Sequence, residues 1–426
     1  MTANPHPAMV LPFVLMLLSI ALAPIFLQRH WERNYHKISI GLGAIAVFYY
    51  AFVLKNWERI GHTAHEYASF IVLIGSLFVV AGGIHIGVKG EAKPWVNCLF
   101  LLIGAILANV IGTTGASMLL IRPWIRMNKY RFAKMHTVFF IFLVSNLGGC
   151  LTPVGDPPLF LGYLKGIPFW WVFEHCWKAW CVAVFGMLAI FNCFDRLNFS
   201  RAPQTVREKE TRCETWRFSG LRNAVFLAII LAAVFIKNPA GLREIVMAAS
   251  AAASYFTTRK ETHEANDFSF APIREVAWLF IGIFATMMPA LDFLELHAAQ
   301  LGVRSELQFY WLTGALSSVL DNAPTYLAFV ATAFGIAELN IDIPAHMSAF
   351  IAQHNSLLVA ISLGAVFFGA GTYVGNGPNL MVKSIAEQAG VKTPSFIGYV
   401  VKFSAPILLP FFWIISLLFF SKWRVF

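Results

Sequence analysis

Apolar runs long enough to cross about 30 Å of hydrocarbon recur along the whole chain, separated by short polar loops rich in Lys and Arg. In the first half they cover residues 9–27, 37–54, 69–88, 95–126, 134–164 and 169–194. In the second they cover 221–237, 242–256, 276–292, 306–335, 356–387 and 395–420. Four runs are interrupted. The run 134–164 is broken at 146–158, where Gly148, Gly149, Pro153, Gly155, Pro157 and Pro158 cannot continue a helix, because proline has no N–H and glycine loses the most backbone entropy on ordering. Asp156 sits inside that break. The run 356–387 is broken likewise at 369–379 by Gly369, Gly371, Gly375, Gly377 and Pro378. Two further runs, 95–126 and 306–335, carry small and oxygen-bearing residues at their middles, across 109–117 and 317–325.

The order of elements is the same in both halves: three spans, an interrupted segment, a broken span and a final span. Such an order predicts an internal repeat, and paired interruptions in corresponding places point to a binding site. The expected fold is an all-α polytopic membrane protein, an inverted repeat of about ten transmembrane helices with two re-entrant hairpins and two broken helices. The first repeat covers residues 1–194, a polar linker 195–220 and the second repeat 221–426. Basic residues orient it. With the N-terminus outside and each interrupted segment returning to the side it entered from, the inside loops hold 22 basic residues against 8 outside, the inside set including Arg29, Arg33, Lys37, Lys89, Arg122, Arg126, Arg131, Arg207, Lys209, Arg212, Arg259 and Lys260. A sparser set that includes Lys55, Arg59, Lys165, Lys237 and Arg243 then lies outside, as the positive-inside rule requires. Full crossings in place of hairpins would put the basic loop at 122–134 outside. Both termini are expected outside, in a bacterial-type cytoplasmic membrane.

Composition agrees. The chain has 426 residues, 58% hydrophobic and 13% charged, with mean hydropathy +0.66, whereas soluble domains carry about 25% charged residues. The net charge of +10 is dispersed over loops, so it marks anchoring in lipid and excludes nucleic acid as the implied partner. The first run lacks a basic n-region and a small-residue cleavage site and reads as a span, not a signal peptide. Cys98, Cys150, Cys176, Cys181, Cys193 and Cys213 show no metal-ligand spacing and read as packing residues. His85 reads as structural, His136, His175 and His297 as interfacial, and Trp170 and Trp171 as part of an aromatic belt.

A carboxylate at membrane depth costs roughly 2.5 kcal/mol or more and persists where it lines a cavity or holds an ion. Asp156 and Asp321 are such carboxylates. Hydroxyls, amides and unpaired carbonyls at broken helices bind hard cations such as sodium, and helix N-termini favour anions. An intramembrane aspartyl protease would also use two aspartates, sharing a proton at close range, but Pro153 stands where its Gly-x-Gly-Asp motif would begin.

These stretches resemble the ion transporter superfamily, which includes NhaD-type sodium/proton antiporters, arsenite pumps, divalent-anion/sodium symporters and citrate transporters. Gly148 to Pro158 is similar to the family's Gly-Gly-…-Thr-Pro-(Ile/Val)-Gly loop, and Gly371 to Asn379 occupies the equivalent loop of the second repeat. Asp321-Asn322-Ala323-Pro324 resembles the Asp-Asn-(Val/Ile)-Pro tip of the NhaD type. Thr113 to Pro123 fits the first hairpin tip, with Thr113 in place of the usual Asn. The resemblance implies a transporter and not an enzyme: a homodimer with a scaffold domain and a mobile transport domain that moves like an elevator. It implies one cation site at Thr113, Thr114, Ser117, Thr152 and Asp156, and a second at Asp321, Asn322, Thr325, Thr372, Asn376 and Asn379. Asn146 and Gly155 complete the candidate set.

The carboxylate carriers of this superfamily typically present Thr-Pro-Pro-Asn where this chain has Gly155-Asp156-Pro157-Pro158. Two unpaired aspartates would repel a di- or tricarboxylate by roughly 4 kcal/mol per contact at about 4 Å and an effective dielectric near 20, and the sequence places no Arg or Lys at membrane depth. The expectation is sodium/proton antiport, with sodium and proton sharing Asp156 and Asp321 and no cofactor beyond the transported or coupling ions. The alternative is sodium- or proton-coupled transport of citrate or a related carboxylate, which the neutral, amide-rich loop Asn376-Gly377-Pro378-Asn379 would suit.

Overall fold

The computed structural model describes residues 4–87, 93–201, 217–236 and 238–421. Among them, eight helices are long and apolar enough to cross a membrane, and the strands are one short antiparallel pair, β1 (His85–Gly87) and β2 (Arg217–Ser219). The chain is an all-α polytopic integral membrane protein. Its first half runs through α1 (Leu11–Phe26), α2 (Gln28–Phe48), α3 (Trp57–Gly82), α4 (Pro94–Met127), α5 (Lys134–Leu143), α6 (Pro157–Leu164) and α7 (Trp171–Ser200). The second runs through α8 (Asn223–Ala233), α9 (Leu242–Thr257), α10 (Lys260–Ala265), α11 (Ala271–His297), α12 (Glu306–Val319), α13 (Asn322–Ile336), α14 (Pro344–Phe368) and α15 (Gly377–Gln388). It closes with α16 (Phe396–Tyr399), a π-helical stretch at Val400–Leu408 and α17 (Leu409–Phe420). Helix α11 packs on α2, α3 and α13, while α3 also packs on α4 and α9.

Several helices outrun the apolar stretches that predict them. Helix α3 starts at Trp57 and α14 at Pro344, because their first turns are held by polar contacts as well as apolar burial. Asn56, for example, caps α3 by accepting from Arg59 N at 3.1 Å. The linker expected from 195 also starts later, since α7 continues to Ser200. The rest of that linker at 202–216, with Arg207, Lys209, Arg212 and Cys213, lies outside the described residues, as do Lys89 and Lys237.

Helix α4 is a hairpin. As one straight helix it would hold Asn97 and Asn128 about 46 Å apart, at 1.5 Å per residue. Instead Asn97 Nδ2 donates to Asn128 Oδ1 at 2.8 Å, and Phe100 stacks on Trp124 with centroids 5.5 Å apart. The reversal is at Gly112, whose φ of 76° and ψ of 155° are open to glycine and strained for other residues. Helices α12 and α13 form the second hairpin, closed by Phe309 against Phe329 and reversing just before Asp321, the N-cap of α13.

The open end of the first hairpin is clamped by a wholly buried carboxylate, Asp195. Its Oδ2 accepts from Asn97 Nδ2 at 2.8 Å and Arg131 Nη2 at 3.0 Å, while Arg131 Nη1 and His136 Nε2 meet Oδ1. His136 is thus enclosed by protein near the start of α5. It is 0% exposed, because its ring is a partner of a carboxylate that the sequence places in a polar linker. Breaking a buried ion pair costs about 3–5 kcal/mol. Asp195→Ala is expected to lose that much stability, read as a lowered thermal unfolding midpoint of the purified protein in detergent.

Candidate functional site

Both breaks end in the same construction. Asp156 is the N-cap of α6 and Asn376 the N-cap of α15. An N-cap side chain accepts from the N–H of the second or third helical residue, but the second residues here are Pro158 and Pro378, which have none. Neither side chain caps its own helix. Both turn inward and meet, with Asn376 Nδ2 donating to Asp156 Oδ1 at 2.9 Å. The hairpin tips bring two more donors: Thr113 Oγ1 to Oδ1 at 2.8 Å, and Asn322 Nδ2 to Oδ2 at 2.7 Å. Asp156 is 1% exposed. All four interruptions converge on this one carboxylate. Each hydrogen bond to a charged group contributes roughly 1.5–3 kcal/mol, so three of them are of the order needed to offset its burial, which costs several kcal/mol.

Matching bonds fasten each break to its hairpin. Thr152 Oγ1 donates to Asn109 O at 2.6 Å and accepts from Gly155 N at 3.1 Å. Thr372 Oγ1 donates to Ser318 O at 2.6 Å and accepts from Gly375 N at 3.2 Å. Each loop also folds closely on itself. A Cβ on Gly155 would stand 2.2 Å from Gly149 O, and one on Gly375 2.6 Å from Gly369 O. Thr113 N donates to Gly155 O at 2.7 Å, which seats the first tip on the first loop.

An amide layer lies beside Asp156. Asn146 Nδ2 donates to Asn379 Oδ1 at 2.8 Å, and Asn376 Nδ2 lies 3.2 Å from Asn146 Oδ1. Asn379 Nδ2 donates to Gly369 O at 2.8 Å and Thr372 O at 2.9 Å. Ser117 shares a 2.7 Å bond with Ser145, whose carbonyl accepts from Asn376. Asn322 is fully buried, and its Oδ1 has no hydrogen-bond partner. Thr114 lines a cavity of about 20 Å³ between the first tip, Asp156 and the apolar face of α3 at Leu73, Leu77 and Phe78. That is room for about one water-sized particle.

Of the residues singled out in the sequence, Thr113, Ser117, Asn146, Thr152, Gly155, Asp156, Asn322, Thr372, Asn376 and Asn379 thus lie in one connected cluster. Asp321 has a different role. It accepts from Ala323 N at 3.0 Å as the cap of α13, and among the described residues no hydrogen bond joins it to Asp156. Thr325 bonds back to Asp321 O at 2.8 Å. Asn109, Ser145 and Ser318 also hold the cluster. Their only mark in the sequence is a polar atom near a break.

Two bases that the sequence assigns to outside loops are buried within the protein. The side chains of Lys165 and Arg59 are 3% and 9% exposed. Both sit in loop-like sequence, and their carboxylate partners come from remote segments. They lie outside the Asp156 cluster.

A family profile described as "Putative citrate transport" matches residues 3–420. No curated protein matches the chain. Thr113→Val, which removes a donor from a buried carboxylate, is expected to cost about 1–3 kcal/mol. Thr113→Ser, which keeps the hydroxyl, should lie much closer to wild type when thermal unfolding in detergent is compared.

Proposed function

The chain belongs to the family described as "Putative citrate transport", and from that premise we propose a secondary transporter in which a cation and a proton alternate on Asp156, most directly as sodium/proton antiport. The observation that carries this reading is the Asp156 cluster: one buried carboxylate among neutral oxygens and amides, beside a cavity of about 20 Å³. Oxygen-rich sites of that size suit a dehydrated hard cation, and no base within the cluster would repel it. Thr113, Thr114, Thr152 and the carbonyls of the first loop are the proposed sodium ligands. Asn322, Asn376 and the amide layer carry Asp156 through its neutral form. A second cation site at Asp321, Thr325 and Thr372 is the weaker half of the proposal, because Asp321 already caps its own helix.

The matching bonds of the two breaks support an inverted repeat, and that in turn supports an elevator-like movement of hairpins and broken helices against α1–α3, α8, α9 and α11. A homodimer in a bacterial-type inner membrane, both termini outside, completes the reading. Its nearness to the NhaD type is carried by the motifs alone.

The family description favours a second reading, coupled transport of citrate or a related carboxylate. The hydrogen bonding also softens the electrostatic objection to it, since Asp156 accepts three hydrogen bonds and Asp321 accepts one as the cap of its own helix. One proteoliposome assay separates the two: proton flux on adding sodium, against labelled citrate uptake with and without a sodium gradient. Antiport predicts the first without the second. Under either reading Asp156→Asn should abolish coupled transport, and Asp321→Asn should reduce it less. Wild-type coupling in Asp156→Asn would sink the assignment.

A further inference from the structure

Around the first half of α3, Tyr50, Arg59, Glu66, Lys165, Asp292 and Asp342 form a single polar network. Arg59 Nη2 pairs with Asp292 Oδ1 at 2.9 Å and Arg59 Nη1 with Asp342 Oδ2 at 2.5 Å. Lys165 Nζ pairs with Glu66 Oε1 at 2.9 Å and with Asp342 Oδ1 at 2.7 Å. Tyr50 OH donates to Asp292 Oδ2 at 2.5 Å. None of this is used by the Asp156 site.

The network is divided between the two groups of elements that the proposed movement separates. Tyr50, Arg59, Glu66 and Asp292 belong to the α2, α3 and α11 side. Lys165 follows α6, and Asp342 lies in the loop between the second hairpin and α14. Two of the ion pairs, Arg59–Asp342 and Lys165–Glu66, cross the divide. The other two, Arg59–Asp292 and Lys165–Asp342, do not. When the groups part, each base therefore keeps an acid on its own side, and Glu66, which loses Lys165, keeps His62 at 3.6 Å; stranding a buried base, which makes severing a buried pair costly, is avoided. The Asp195 clamp differs, because its partners all lie on α4, the loop after it, α5 and α7.

We propose that this network is an ionic latch that holds the two groups together in one end state and opens on each transport cycle. The proposal rests on the moving-element reading above. Burial pushes the Asp342 carboxyl up, but Lys165 and Arg59 together hold it well below the usual carboxylate range.

Glu66→Gln removes one crossing pair and leaves Lys165 on Asp342; Asp342→Asn removes the other and leaves Lys165 on Glu66 and Arg59 on Asp292. In proteoliposomes of the full chain, each is expected to raise the maximal transport rate about threefold or more, the scale of mutations that bias a two-state element, with KM unchanged. Glu66→Asp should restore the wild-type rate. A maximal rate that is unchanged or lowered in both neutral variants, with wild-type transport intact, overturns the latch and leaves a structural network. Absence of sodium, proton and citrate flux in the wild type overturns the transport reading instead.

Discussion

A carboxylate that cannot satisfy itself locally organises this molecule. Asp156 opens a helix, and an aspartate in that position ordinarily hydrogen-bonds the first turn behind it. Pro158 removes the N–H of the second helical position, Leu159 N donates to the Asp156 carbonyl, and the side chain makes no cap bond to its own helix. The negative charge must then be met from elsewhere or protonated, since an unpaired ion in a low-dielectric interior is costly. The partners that meet it, Thr113, Asn322 and Asn376, come from three other interruptions in the chain. The hairpin reversal at Gly112, the folding of both loops onto their own glycines and the amide layer all serve to bring those atoms within 3 Å of two oxygens.

The broad plan was legible in the sequence because it rests on backbone chemistry. Proline and glycine clusters in apolar runs mark where helices stop, and those marks located both breaks and both hairpin tips. Most of the candidate residues converge because each lies beside such a mark. What could not be read was which of two similar aspartates faces inward. Asp156 and Asp321 are both N-caps, and the difference lies in the following residues: Pro158 denies Asp156 a donor, whereas Ala323 offers Asp321 its N–H. The network at Lys165 and Arg59 was invisible for another reason. Glu66, Asp292 and Asp342 are remote in sequence, and only packing of α3 on α11 brings two of them together.

The correspondence between the two breaks is hidden in the sequence for a measurable reason. Thr152 and Thr372 make the same bonds and are 372 − 152 = 220 positions apart, while their acceptors Asn109 and Ser318 are 318 − 109 = 209 apart. The segment between hairpin and break is thus 220 − 209 = 11 residues longer in the second half. Helix α14, which changes direction at His354, is correspondingly longer than α5. Side chains and spacing differ between the two halves, yet the threonine that ties loop to hairpin has the same geometry in both.

The second-position prolines also bear on how such a chain reaches its membrane form. The half that contains Asp156 is made first and carries only one of the three donors, Thr113. Until the segments with Asn322 and Asn376 have been inserted, that half holds a poorly satisfied acid at membrane depth and has reason to remain loosely packed, hydrated or protonated around it. The second half supplies the two missing amides, so the site is complete only when both halves of the chain are in place.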